Sequence, residues 1–229
     1  MHRPAKQTIK PPWTLAPIAG AILFIFLYLI AAHFYPGGSQ LDTSSPGFSW
    51  TQNYWCNLLS ETAINGKLNS ARPFAVAAML VLMLTLGLFW YLFPLQTPFS
   101  IGKRRVVQLS GALSMATGAF LSSSYHDTVV NVASAFGLVA LAGTLVGLKE
   151  LRWTRLLYFG FFNLLLVLVN NILYYGNGLR LYLPVVQKCT FLLFLLWVAL
   201  ICMRMYTTKQ REKTAANIAL PQAGLKNKG

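Results

Sequence analysis

The stretch SSSYHDTVVN, residues 122–131, sets Ser122, His126 and Asp127 between two long apolar runs. These residue types can do chemistry. Histidine, with an ordinary pKa of about 6.5, can pass protons, and a neighbouring carboxylate can orient its ring. Ser, His and Asp are also the ingredients of nucleophilic catalysis. Adjacent residues on a turn usually point apart, however, and Asp127 serves equally as a cap for the helix that follows. The motif reads either as a solvated turn or as the polar edge of a site.

Other residues extend the second reading. Glu61 is one of only five acidic residues in the chain. Asn170 and Asn171 close an apolar run, and Asn163 precedes Asn170 by seven residues on one helical face. Asparagines within a membrane face protein rather than lipid and hydrogen-bond across helices. Together with Asn53, Arg180 and Lys188, the amides Asn170 and Asn171 form a candidate binding set for an anionic headgroup. His33, His126, Asp127 and Glu61 offer mixed N/O ligands for zinc. No HxxxH or HExxH spacing gathers them, so no metal or other cofactor is assigned.

The three cysteines, Cys56, Cys189 and Cys202, show neither CxxC nor metal-finger spacing. Cys202 sits deep in an apolar run and reads as packing. Cys56 and Cys189 map to one face, which leaves a disulfide between them open.

What must position these residues is a bilayer. The chain has 229 residues, of which 55% are hydrophobic and only 10% charged. Ordinary soluble domains carry roughly 25% charged residues, and so few charges cannot solvate a soluble surface. A net charge of +14 would suggest nucleic acid in a soluble protein. Here the basic residues fall in short clusters between apolar runs, and no nucleic-acid-binding motif accompanies them.

A membrane-crossing helix needs about 20 mostly apolar residues. Six segments qualify or come close: 14–35, 73–95, 106–124, 128–148, 156–175 and 183–203. The expected fold is an all-α integral membrane protein, a six-helix bundle. The first segment follows Lys6 and Lys10 but is too long for a signal-peptide core, so it reads as a retained anchor. Lys and Arg concentrate on the cytoplasmic side of membrane proteins. Fifteen of the 19 fall in the two termini and the even-numbered loops, leaving Lys67, Arg72, Arg180 and Lys188 for the opposite side. Both termini are therefore predicted cytoplasmic. Asp42, Glu61, Asp127, His33 and His126 then share the outer face.

The long outer loop, 36–72, begins with the turn-rich PGGSQLDTSSPG. In FSWTQNYWCNLLSE, Trp50, Tyr54, Trp55, Leu58 and Leu59 recur at helical spacing, which predicts a short interfacial helix capped by Ser49. That helix reads as an aromatic anchor or as a lid over an outer pocket. An Asn65-Gly66 turn follows, and Pro73 suits the first turn of the next helix. Ser110, Ser114 and Gly118 face Ala133, Gly137, Gly143 and Gly147 at spacings that let helices approach closely. Segments three and four should form a tight antiparallel hairpin. Residues 204–229 are polar and basic and are expected to be a flexible cytoplasmic tail near anionic lipid headgroups.

With six spans, a long first outer loop and the pattern SxxxHDxxxNxASAF from Ser122 to Phe136, the chain resembles bacterial polytopic families of unknown function. These are distantly akin to the Frag1/DRAM/Sfk1-like membrane proteins. The resemblance implies a bacterial plasma membrane location and no particular activity. Ser122, His126 and Asp127 are also similar in kind to the residues used by the ceramidase and progestin-receptor-like membrane hydrolases, but the late HxxxH of that superfamily is missing. The expected function is binding, sensing or scaffolding of a lipid headgroup or a membrane-protein partner. The alternative is a membrane-embedded hydrolase or transferase using His126, Asp127, Glu61 and Ser122.

Overall fold

The computed structural model describes the backbone of residues 11–118, 120, 126–176 and 178–226, with side chains for 12–118, 120, 128–176 and 178–215. Six α-helices dominate it: α1 (Ala16–His33), α2 (Arg72–Leu92), α3 (Ile101–Gly118), α4 (His126–Glu150), α5 (Thr154–Tyr175) and α6 (Leu183–Lys226). Among the described residues there are no strands, only isolated bridges at Gly37–Pro46 and Thr62–Leu68.

Among the described residues, five helical stretches are long and apolar enough to cross a membrane: Pro12–His33, Arg72–Gln96, Thr128–Glu150, Thr154–Tyr175 and Leu183–Ala215. The chain is a multi-pass helical membrane protein. The third of the six expected spans is not among them, because the described part of α3 is less apolar. Lys103, Arg104, Arg105 and Gln108 crowd its first two turns, and Ser110, Gly111, Ser114 and Gly118 form its buried face. Its outward face is apolar all the same, with Val106, Leu109 and Leu113 exposed. Small residues inside and large apolar residues outside is the pattern of a helix whose surroundings are lipid. The other helices repeat it, with Phe26, Leu84, Val139, Leu165 and Leu196 exposed around the bundle.

Consecutive helices pair as antiparallel hairpins. Between α1 and α2, Gly20 lies against Thr85 and the Phe34 and Phe74 rings stack at 5.1 Å. Between α3 and α4, Ser114 Oγ donates to the Ala133 carbonyl at 2.8 Å, and Lys103 meets Glu150 at 3.4 Å. A Cβ on Gly143 would lie 2.2 Å from Val107 Cγ2, so no larger residue fits without displacing that side chain of α3. The small-residue seam expected from the sequence is therefore real. Between α5 and α6, the Trp197 indole N–H donates to the Leu156 carbonyl at 2.7 Å, and Gly160 makes room for the same ring.

These pairings put the segment joining α1 to α2 at one end of the bundle, the loop end, together with the start of α6. Lys103, Arg104, Arg105, Lys149, Arg152, Arg155 and Arg204 gather at the opposite, basic end. Past residue 203, α6 continues helical through the basic stretch where a flexible tail is expected.

The connecting segment folds against the loop end rather than lying loose. Gly37 and Gly38 take positive φ values of 126° and 84°, and a Cβ on Gly38 would sit 2.4 Å from the Asn65 amide nitrogen. Only glycine allows that approach. The Asn65-Gly66 turn forms as expected, with Gly66 donating to the Ala63 carbonyl at 2.9 Å. The expected interfacial helix shrinks to a five-residue 3₁₀ turn, Trp55–Leu59. Side-chain amides explain the change, because they capture backbone groups that a helix would use. Asn53 Oδ1 accepts from the Ser49 amide at 2.8 Å, Asn57 Oδ1 from Tyr54 at 2.7 Å, and Gln187 Oε1 from Trp55 at 3.1 Å. Trp55 turns inward, within 5.8 Å of the Phe24, Tyr28 and Phe191 rings, so it is packing rather than an interfacial anchor.

Candidate functional site

The sequence places its candidate residues at the loop end, and the structure assigns them different tasks. Lys188, in the second turn of α6, is only 7% exposed. Its ammonium donates to the Asn53 carbonyl at 2.5 Å and the Pro184 carbonyl at 2.9 Å, and it lies 5.5 Å from the Phe48 ring centre. Asn53 is fully buried, and its amide donates to the Gly38 carbonyl at 2.9 Å. These two residues of the expected binding set hold the loop onto α6. Arg180 is exposed; its Nε donates to the Tyr174 carbonyl at 2.9 Å, and its guanidinium stacks 5.3 Å from the Tyr174 ring centre. Tyr54 reaches the Arg180 carbonyl at 3.4 Å. Partial burial raises the Tyr54 phenol above its ordinary pKa, with the Arg180 cation opposing the shift.

Glu61 pairs with Arg72 at 3.0 Å on the surface, its side chain 76% exposed. Asp42, also exposed, accepts from both the hydroxyl and the amide of Ser44, which hold its carboxyl below the usual range. Ser122 lies outside the described residues. His126 and Asp127 begin α4, and their side chains are likewise outside the described set. Among the described residues no three His, Cys, Asp or Glu gather as a metal site. Cys56, Cys189 and Cys202 are free thiols, so the disulfide left open between the first two is absent.

The remaining two candidates lead into the bundle. Asn171 is exposed and donates to the Val167 carbonyl at 2.9 Å. Asn170 donates to the Leu166 carbonyl at 2.8 Å and, across the hairpin, to Thr190 Oγ1 at 2.6 Å. The expected interhelical hydrogen bond is therefore present at Asn170, whereas Asn163 bonds only within its own helix. Thr190 in turn lines a cavity that the sequence did not reveal.

That cavity, of about 280 Å³, opens between α4, α5 and α6, with Trp90 of α2 and Ser114 of α3 completing its wall. Its lining is almost wholly apolar, including Leu138, Leu141, Val167, Phe191 and Phe194, with Ser114, Ser134, Asn163 and Thr190 as its polar members. Small-molecule pockets run from roughly 300 to 1,000 Å³, and combine apolar walls with a few polar points. Asn163 is the unusual member. It is fully buried; its Nδ2 donates to the Phe159 carbonyl at 2.9 Å, and its Oδ1 has no partner. Nine residues into α5, it lies about 14 Å along the helix axis, near the bilayer midplane. An orphaned carbonyl at that depth is costly, since lipid tails offer no donor.

The loop and the cavity are connected. Trp55, which Gln187 holds through its backbone amide, packs 5.3 Å from Phe191, and Phe191 is part of the cavity wall. Asparagine within an apolar run was the sequence signal for this region. The cavity itself had none, because it is a gap between several helices rather than a property of one.

No family model, curated protein or solved structure matches this chain.

Proposed function

We propose that this protein binds an amphiphilic, lipid-like molecule, whose apolar body enters the cleft between α4, α5 and α6. The observation that carries the reading is the cleft itself: an apolar cavity of about 280 Å³ with one orphaned polar atom in a buried lining residue. Asn170 sits about 10 Å further along α5 than Asn163, and its hydrogen bond to Thr190 joins the cleft to the loop end. Arg180 and Asn171, both exposed there, supply a cation and an amide for an anionic headgroup.

In this reading α3 crosses the bilayer as the sixth span, since it packs along α4 and turns apolar residues outward. The basic end faces the cytoplasm, following the bias of Lys and Arg. The loop end then faces outward from a bacterial plasma membrane, the location that the sequence resemblance implies.

The test uses the full chain in phosphatidylcholine nanodiscs with a phospholipid carrying a diazirine on its acyl chain. Cross-links mapped by mass spectrometry should concentrate on Leu138, Val167 and Phe194. Ser134→Trp, which places a large ring at an exposed position on the cleft wall, should abolish that enrichment. Cross-links spread evenly over the lipid-facing surface would overturn the proposal.

A further inference from the structure

We infer that the molecule held in the cleft carries a hydrogen-bond donor, a hydroxyl or an amide N–H, on its apolar body, and that Asn163 Oδ1 accepts it. The inference rests on the binding role proposed above and narrows its ligand class. A plain hydrocarbon chain would fill the cavity but leave Asn163 as it stands.

The orientation of the Asn163 amide is set by its neighbour. The Phe159 carbonyl can only accept, so the atom 2.9 Å from it must be the nitrogen, and the oxygen is the atom left over. Two of the three hydroxyls lining the cleft are already committed, and the third, on Ser134, does not reach the Asn163 oxygen. Ser114 donates to the Ala133 carbonyl and Thr190 to the Val186 carbonyl, each at 2.8 Å. The helix supplies no spare donor either, since backbone N–H groups in mid-helix are bonded within it. Bulk water is scarce at this depth. A donor on the ligand is what the site lacks.

A leucine in place of Asn163 would pack as well and leave nothing orphaned. Mutational experience indicates that replacing such a group with an apolar residue is nearly neutral or favourable. The Asn163→Leu chain should therefore fold, and selectivity is the property expected to change.

The experiment compares two photoreactive probes in nanodiscs: a diazirine-bearing long-chain alkanol and its methyl ether. They differ only in the donor. In the wild-type chain the alcohol should label the cleft residues about tenfold more than the ether, the equivalent of one buried hydrogen bond. Asn163→Leu should label with both probes at a ratio close to one. Equal labelling in the wild type, which needs no variant to observe, would overturn the inference, as would a preference that survives Asn163→Leu. Labelling of the cleft by neither probe above the general lipid-facing background would instead bring down the proposed binding function.

Discussion

The ammonium of Lys188 is bonded to the backbone carbonyl of Asn53, a residue 135 positions earlier in the chain. Lysine is almost never buried without a partner. Here the partners are two carbonyls and an aromatic face rather than a carboxylate. A cation expected to await an anionic ligand instead bolts the connecting segment to α6.

Removing the bolt should loosen the loop. Pro184 keeps its place in the helix without Lys188, but Asn53 loses the donor to its carbonyl. Leaving a buried carbonyl unpaired costs about 1–3 kcal/mol. Lys188→Met should lower the detergent-solubilised melting temperature and hasten proteolysis within residues 36–60. A variant as stable and as resistant as the wild type would show that the contact adds nothing.

Asn69 offers a second handle on the same segment. Its buried amide nitrogen lies 3.1, 3.2 and 2.8 Å from the carbonyls of Asn57, Leu58 and Ser60, while its oxygen accepts from the Ala71 amide at 3.1 Å. Asn69→Ala strips that hub and should destabilise the protein by roughly 2–3 kcal/mol. Thermal unfolding followed by tryptophan fluorescence would register the loss, because Trp55 sits beside these carbonyls in the chain.

The α3–α4 seam predicts its own pair of outcomes. Gly143→Leu must push against Val107, since even a Cβ would lie 2.2 Å from that side chain. Overpacking of this kind costs typically about 1–3 kcal/mol. Gly102→Ala, with nothing within 4 Å of the added carbon, is the control and should melt like the wild type. Equal melting of all three proteins would place the Gly143 face toward lipid.

The proposed orientation is checked by thiol labelling in intact cells, using a chain freed of Cys56, Cys189 and Cys202. Ser45→Cys and Leu179→Cys should react with a membrane-impermeant maleimide. Lys103→Cys and Lys213→Cys should react only after the membrane is opened. The reverse pattern would invert the protein and move the headgroup residues Arg180 and Asn171 to the cytoplasm.

Much of the framework was legible without coordinates. Membrane insertion, helix content and the α3–α4 pairing follow from composition and from short-range spacing, such as Ser110, Ser114 and Gly118 against Gly137 and Gly143. Those signals are local, and a helix in lipid satisfies its own backbone, so they survive whatever the neighbours are. The sixth span does not stand out by apolarity because Lys103, Arg104 and Arg105 enter α3, whose outward apolar face still suits a membrane. Residues 49–61 carry helical periodicity, yet amides from Asn53, Asn57 and Gln187 take the backbone bonds first. Gln187 is far away in sequence, so nothing near residue 55 announces it. The cleft is the furthest from the sequence of all. In a membrane both faces of a helix are apolar, so hydropathy does not tell a packed face from one that leaves a gap. Asn163 was visible as a polar residue in an apolar run; that its oxygen would be left without a donor depended on how α4, α5 and α6 came together.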